Sequence, residues 1–186
     1  MQEKQSVALS ALQRLKDGNK IYLSAEKCVG DVSLEKRQYT AENGQLPYAV
    51  IVGCADSRVI PEAVFSSGIG ELFVIRVAGN VVGETQLGSI EYAVEHLGCR
   101  LVVVLGHTHC GAVGAALEDD EVGGHIKCIT DEIKCALAVE KDVTKASVLN
   151  VLQSVEKIKA NLKDIDGLLV VGALYHTESG TVDFFD

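Results

Sequence analysis

Two cysteines and one histidine in this chain are spaced as the ligands of a single metal ion would be. Cys54 directly follows an apolar run at residues 48–53, and His107 and Cys110 follow a second apolar run at residues 101–106. Two thiolates and one imidazole form a borderline-soft ligand set that suits Zn²⁺. Three protein ligands leave one position of a tetrahedral ion open, as in catalytic rather than structural zinc sites. The sequence therefore predicts one Zn²⁺ per chain, bound by these three residues.

An acidic and a basic residue lie two positions apart just after Cys54. In an extended segment Asp56 and Arg58 point to the same side and can pair. Zinc with two thiolates and one neutral imidazole has little net charge, so it acidifies a bound water less than zinc held by three histidines. Asp56 would orient that water, and Arg58 would keep Asp56 ionised. An isolated D-x-R pair is most simply a surface ion pair, but its closeness to a predicted ligand favours the catalytic interpretation.

The loop that carries the other two ligands holds two further candidates. Gly111 opens a predicted helix, and its backbone N–H would donate to a thiolate or to an anionic substrate. Alternatively, Gly111 and Gly114 only allow the helix to pack closely on its strand. His109, between the two ligands, is predicted to point away from the metal, as a solvated loop residue or as a proton relay.

To bring Cys54, His107 and Cys110 together, the chain is predicted to form a layered α/β structure. Near-continuous apolar runs alternate with helical patterns, which predicts a mostly parallel sheet of about four strands with helices on both faces. Ligands bind at the carboxyl ends of the strands in such sheets, where the three metal candidates fall. A last segment after the turn at residues 178–180 is predicted as an antiparallel edge strand. The predicted strands are residues 48–53, 72–77, 101–105, 168–174 and 181–185.

The helical patterns include one that precedes the first strand. Residues 7–23 are amphipathic, and we expect this helix to pack outside the main sheet. The acidic segment at residues 118–121 is most simply a solvated turn. The other predicted helices are residues 31–43, 61–66, 84–97, a helix from about residue 111, and residues 122–139 and 146–163.

Composition restricts the class of protein. The chain has 186 residues, 47% of them hydrophobic, which fits one globular domain. Its net charge of −9 argues against nucleic acid or an anionic membrane as a partner. No apolar run approaches the roughly 20 residues of a membrane span. The N-terminal residues show no secretory signal, so we expect a cytoplasmic location and reduced thiols at the remaining cysteines. These cysteines are Cys28, Cys99, Cys128 and Cys135.

Four stretches of the sequence resemble the β-class carbonic anhydrases, and in particular a bacterial branch of that family. They occur in the order of the family and span almost the whole chain, from about Ala11 to Phe185. The stretches are residues 54–59 (CADSRV), 72–80 (LFVIRVAGN), 88–98 (GSIEYAVEHLG) and 106–113 (GHTHCGAV).

The resemblance implies both an activity and an assembly. It implies zinc at Cys54, His107 and Cys110, a catalytic pair at Asp56 and Arg58, and attack of zinc-bound hydroxide on CO2 to give bicarbonate and a proton. Gln45, which composition alone would assign to a turn, matches a family glutamine that positions substrate. The implied assembly is a homodimer or dimer-based tetramer, with the active site at the dimer interface and the N-terminal helix extending onto the partner.

The predicted organisation is one β-carbonic-anhydrase-like domain over residues 1–186. It consists of an N-terminal helical arm at residues 1–44 and a zinc-binding α/β core at residues 45–186. Two alternatives remain: a CS2 or COS hydrolase on the same scaffold, and a non-catalytic binding protein stabilised by zinc. A purely structural site would not need the Asp56–Arg58 pair, which favours an enzyme.

Overall fold

The sheet is built from four parallel strands and one antiparallel edge strand. The computed structural model describes residues 2–118, 122–137 and 140–185. The strands lie in the order β2-β1-β3-β4-β5, in which the β4–β5 pair is antiparallel and the other pairs are parallel. The predicted α/β architecture is confirmed. The strands are β1 (Ala49–Gly53), β2 (Leu72–Arg76), β3 (Leu101–His107), β4 (Leu169–Tyr175) and β5 (Val182–Phe185).

Helices flank both faces of this sheet. Each predicted helix is present, with ends that differ by a few residues, and none of the described helices is long and apolar enough to cross a membrane. Positions 119–121 of the predicted acidic turn and positions 138–139 of a predicted helix lie outside the described residues. The helices are α1 (Gln2–Ser24), α2 (Leu34–Asn43), α3 (Pro61–Val64), α4 (Glu84–Glu95), α5 (Gly111–Leu117), α6 (Ile126–Leu137) and α7 (Val143–Asn161).

Alternate residues of the central strands supply two separate hydrophobic cores. Val50 and Val52 of β1 pack in the core that α4 and α7 cover. Ile51 points to the opposite face and packs in the core that includes Leu15 of α1. Helix α1 therefore lies on the sheet, and its predicted packing outside the sheet is wrong. Without α1, the apolar side chains of this face would be exposed to water, at a free-energy cost of about 25 cal/mol per Å² of apolar surface.

The topology places a crevice at the carboxyl ends of β1 and β3. The chain crosses from β1 to β2 on one side and later returns to β3 on the other, so β1 and β3 are neighbours at a switch of direction. Helix α7 packs tightly against β3 near this crevice. A Cβ atom at Gly106 would lie 2.5 Å from Cγ2 of Val151, so glycine is required for this approach. The close packing fixes the strand directly before His107.

Candidate metal centre

Three buried ligand atoms converge at the carboxyl ends of β1 and β3. The metal-binding atoms of Cys54, His107 and Cys110 all lie within 4.8 Å of one another. These residues are 4%, 0% and 2% exposed, respectively. A tetrahedral zinc site with ordinary Zn–S and Zn–N bonds needs separations of about 3.6–3.8 Å, so only small movements would close the cluster on an ion.

Each of the three residues is positioned by a regular element. Cys54 is the first residue after β1, and Cys110 is the cap of α5, with φ −68° and ψ 115°. His107 is the last residue of β3 and pairs with Tyr175 of β4. The prediction that His107 follows its strand is therefore wrong by two residues, because pairing with β4 continues beyond Leu105.

The His107 ring is oriented as a metal ligand requires. Its Nδ1 lies 2.9 Å from the carbonyl oxygen of Thr108, which fixes the proton on Nδ1. The lone pair is then on Nε2, which is buried and has no hydrogen-bond partner among the described residues. A buried acceptor without a partner is costly. A cation bound beside the two sulfur atoms would satisfy it.

The two thiols interact strongly with each other. A hydrogen bond from the Cys110 thiol lowers the pKa of Cys54 to about 4, which favours the thiolate form of Cys54. The same hydrogen bond, together with burial, raises the pKa of Cys110. Backbone N–H groups of Ala112 and Val113 act in the opposite direction and favour a Cys110 thiolate. A divalent cation would take the place of the shared proton, which makes this donor set suitable for Zn²⁺.

A tight turn supports Cys54 from the opposite side. The backbone N–H of Gly79 lies 3.3 Å from the sulfur atom of Cys54, and that of Asp56 lies 3.4 Å from it. Gly79 has φ +67°, and a Cβ atom there would lie 2.7 Å from Cδ1 of Ile133. The side-chain amide of Asn150 donates to the Gly79 carbonyl at 2.7 Å. Sequence reasoning missed these supports, and no local signal marks Asn150.

Asp56 and Arg58 form a bidentate ion pair beside the cluster. Nε of Arg58 donates to Oδ1 of Asp56 at 2.9 Å, and Nη2 donates to Oδ2 at 2.7 Å. Hydrogen bonding to Arg58 holds the pKa of Asp56 well below its usual range. Oδ2 lies 3.9 Å from Nε2 of His107, so the carboxylate borders the position that a metal ion would occupy. The spacing argument for the pair agrees with this geometry.

A second arginine holds the loop that carries Cys54 and Asp56. Nε of Arg76 donates to the Cys54 carbonyl at 2.9 Å, and Nη2 donates to the Asp56 carbonyl at 2.6 Å. Arg76 ends β2, the strand next to β1. An arginine at the end of a strand was the sequence signal that could have identified Arg76. The sequence analysis did not use it.

Gln45 lies far from the cluster within its own chain, whereas Gly111 lies directly beside it, next to Cys110. Gln45 precedes β1, and the backbone of its neighbour Leu46 bonds to Gly70 before β2. It thus lies at the amino edge of the sheet, across the five residues of β1, or about 16 Å, from the cluster. Gly111 begins α5, but the N–H groups that favour the Cys110 thiolate are those of the next two residues. Donation by Gly111 to an anion stays a prediction.

The remaining cysteines lie away from the cluster and are all free. Cys99 is buried, its S–H donates to the Pro47 carbonyl at 3.2 Å, and burial raises its pKa to about 11. The other three, Cys28, Cys128 and Cys135, are exposed.

We expect Zn²⁺ to raise the Tm of the metal-free protein by about 10 °C. Zinc at a thousand times its Kd adds about 4 kcal/mol of stability, and each kcal/mol is worth about 2–4 °C in a chain of this size. Differential scanning calorimetry at constant protein concentration measures the shift. Mg²⁺ is the matched control because it prefers oxygen ligands and should leave Tm unchanged. An equal shift with both ions, or none with zinc, would contradict a thiolate site.

Comparison with known proteins identifies the family to which the chain belongs. Residues 49–182 match the family described as carbonic anhydrase. Carbonic anhydrase 2 of Mycobacterium tuberculosis is 43% identical over 129 residues, which cover 67% of this chain but only 62% of that protein, less than two thirds of its length. The carbonic anhydrase of Mycolicibacterium smegmatis is 35% identical over 190 residues, covering 94% of this chain and 92% of its own.

A solved structure gives the same result for the fold. The β-carbonic anhydrase CafA of Aspergillus fumigatus superimposes with a TM-score of 0.73 at 26% identity, covering 82% of this chain and 81% of that chain. The matched residues 49–182 contain the three clustered ligands and the Asp56–Arg58 pair, but not Gln45.

Proposed function

Since the chain belongs to the β-class carbonic anhydrase family, we propose that it catalyses the reversible hydration of CO2 to bicarbonate and a proton. The observation that carries this proposal is the buried cluster of Cys54, His107 and Cys110 beside a carboxylate that Arg58 holds at both oxygens. A site that only stabilised the fold would need four protein ligands and no such carboxylate.

We propose one Zn²⁺ per chain at this cluster. Zinc supplies an activated water as the nucleophile for CO2. Two thiolates and a neutral imidazole balance the charge of the ion, so the protein has to assist that activation. The N–H groups directed at the sulfur atoms of Cys54 and Cys110 withdraw part of their negative charge, which favours activation.

Asp56 is the residue placed to assist. Its carboxylate is ionised, because its pKa is held low by hydrogen bonding to Arg58, and Oδ2 borders the open side of the cluster. In this position it accepts a hydrogen bond from the nucleophile and orients the lone pair toward CO2. Arg58 engages both carboxylate oxygens, which keeps Asp56 from rotating away from that role.

The surroundings of the cluster suit a small neutral substrate. Val81 and Val113 are buried in the same apolar cluster as Cys54 and Cys110. Such walls exclude water and hold CO2 without requiring a charged partner. The N–H of Gly111, at the start of α5, is the group we assign to the bicarbonate product.

Gln45 can reach this site only from another copy of the chain. In its own chain it lies at the opposite edge of the sheet, so a role in positioning substrate requires a homodimer or a dimer-based tetramer. Exposed apolar residues at that edge and on α1, among them Leu46, Val7 and Leu9, support such an association. Extension of α1 onto the partner is part of the same proposal.

Mixed dimers test the sharing of Gln45. We expect Gln45→Ala to lower kcat/KM about tenfold. Coexpression with Cys110→Ser, which keeps Gln45 but lacks a zinc ligand, gives mixed dimers in which one of the two sites is complete. Because random pairing makes half of the dimers mixed, activity per chain should return to about a quarter of wild type. If Gln45 acts within its own chain, the mixture gives no more than the average of the two variants.

We also propose a compartment and a domain organisation that are compatible with this site. Six cysteines without disulfide bonds, two of them in the proposed metal centre, suit a reducing environment, which supports a cytoplasmic location. We treat residues 1–186 as one functional domain, with residues 45–186 as the zinc-binding core and residues 1–44 as the helical arm.

Turnover of CO2 and COS, measured side by side on zinc-replete protein, tests the substrate. The proposal predicts rapid CO2 hydration and little COS hydrolysis. Fast COS or CS2 hydrolysis with slow CO2 hydration would assign the chain to the hydrolases of that scaffold. Zinc at one ion per chain with no turnover of either gas would leave a non-catalytic binding protein.

A further inference from the structure

His109 holds an unusual backbone conformation between two of the metal ligands. Its φ is +55°, in the left-handed region that residues other than glycine rarely adopt. Strained backbone of this kind persists only where surrounding contacts maintain it, and it concentrates at functional sites. The conformation directs the His109 carbonyl toward Arg58, whose Nη2 donates to it at 3.1 Å. The same Nη2 group also donates to Oδ2 of Asp56.

The side chain of His109 is contacted by the turn between β4 and β5. Nε2 of His109 hydrogen-bonds to Oε1 of Glu178, although the two residues are 69 positions apart in sequence. The other carboxylate oxygen of Glu178 accepts a hydrogen bond from the Thr108 hydroxyl at 3.2 Å. Glu178 therefore contacts two consecutive residues, Thr108 and His109, of the ligand loop, which lies between β3 and α5.

The register of the sheet explains why these two turns meet. β3 and β4 are parallel neighbours that end together at His107 and Tyr175. Pairing continues past the strands, because the Thr108 N–H donates to the Tyr175 carbonyl at 3.0 Å and the Thr177 N–H donates to the Thr108 hydroxyl at 3.0 Å. The ligand loop and the turn after β4 are thus joined by several hydrogen bonds.

We propose that Glu178 and His109 are positioning residues for Arg58. Glu178 holds the His109 side chain, the held side chain keeps the His109 backbone left-handed, and the His109 carbonyl fixes the guanidinium that orients Asp56. This proposal deepens the proposed function and rests on it. It assigns His109 a role through its backbone rather than as a metal ligand or a proton carrier.

Three features distinguish this arrangement from an ordinary surface ion pair. The side chains of His109 and Glu178 are 65% and 61% exposed, so the attraction between them alone would contribute little. However, the pair acts on a residue whose backbone is strained, Glu178 is also bonded to Thr108, which is 5% exposed, and the His109 carbonyl contacts Arg58 directly. A small stabilising contribution from Glu178 can therefore change the fraction of molecules in which the His109 carbonyl contacts Arg58.

Alanine and glycine at position 109 separate the backbone role from the side-chain role. Both remove the imidazole, but only glycine adopts the left-handed conformation without penalty. We expect His109→Ala to lower kcat about tenfold with KM and zinc content unchanged, and His109→Gly to regain most of that loss. Glu178→Ala should resemble His109→Ala. Glu156→Ala, which removes an exposed glutamate paired with Lys159, is the matched control.

Hydrogen exchange at Nε–H of Arg58 provides a readout that does not depend on turnover. In ¹⁵N-labelled protein this signal is identified by its loss in Arg58→Lys. Exchange should be about tenfold faster in His109→Ala and Glu178→Ala than in wild type, and slower again in His109→Gly. This pattern supports the proposal even if wild type fails to hydrate CO2, in which case only the proposed function is wrong.

Two results would overturn the positioning role. One is that His109→Ala and Glu178→Ala match wild type in both kcat and Arg58 exchange. The other is that alanine and glycine at position 109 lose equal activity and that added imidazole restores both, since His109 would then act as a proton carrier.

Discussion

Replacement of Cys110 by serine is expected to abolish zinc binding and to reduce CO2 hydration to the rate of buffer alone. A serine hydroxyl is not ionised near neutral pH, so it cannot supply the thiolate that the site needs as a ligand. Loss of the ion also leaves Nε2 of His107 buried without a partner among the described residues. Zinc content by elemental analysis and stopped-flow CO2 hydration on the same sample measure both effects.

Cys128→Ser is the matched control for this variant. Cys128 is exposed and donates to the His125 carbonyl at 2.9 Å, a bond that serine can keep. One zinc per chain and wild-type turnover are expected. If Cys110→Ser itself retained one zinc and full turnover, Cys110 would not be a ligand and the proposed cluster would be incorrect.

Replacement of Asp56 by asparagine should lower kcat about 10²- to 10³-fold while zinc stays at one ion per chain. The amide keeps the shape of the carboxylate but loses its charge and one of its acceptor oxygens. It can no longer pair with Arg58 at both positions and orient the nucleophile. We expect the effect to be on catalysis, because Asp56 lies beside the cluster of Cys54, His107 and Cys110 and is not part of it.

Measurement of Tm and a control variant distinguish a loss of catalysis in Asp56→Asn from unfolding of the protein. Arg58 is half exposed, so water screens the ion pair and its loss should shift Tm by only a few degrees. Asp131→Asn, which removes an exposed aspartate paired with Lys127 at 2.7 Å, should leave kcat unchanged. A zinc-loaded Asp56→Asn enzyme with wild-type kcat would exclude the role given to Asp56.

Local pattern was sufficient to predict the parallel strands and to select Cys54, His107 and Cys110, which the fold brings together, as candidate ligands. Strands buried on both faces need apolar side chains at every position, and the burial of all five residues of β1 reflects this. Ligands bind where such strands end, so Cys54 and Cys110 could be named as candidates before their distances were known. The Asp56–Arg58 pair was predictable because it depends on two residues in one loop.

Contacts between distant segments could not be predicted in this way. Arg76 reaches the Cys54 loop because β2 pairs with β1, and Glu178 reaches His109 because β3 and β4 end together. Both depend on strand register, which is set by the packing of whole sheets. The position of α1 on the sheet has the same origin, since an amphipathic pattern does not identify the surface that the helix covers.

Stopped-flow CO2 hydration by zinc-replete wild-type protein, from about pH 6.5 to 9, tests the central claim most directly. The hydrogen bonds from Arg58 lower the pKa of Asp56, so this carboxylate is ionised over the whole range and loses its charge only in stronger acid. Because both its oxygens are engaged by Arg58, we predict hydration at every pH, already substantial at the acidic end. Hydration confined to the alkaline end would show that Asp56 leaves Arg58 and closes on the metal at lower pH. No hydration at any pH, with one zinc per chain verified, would contradict the account.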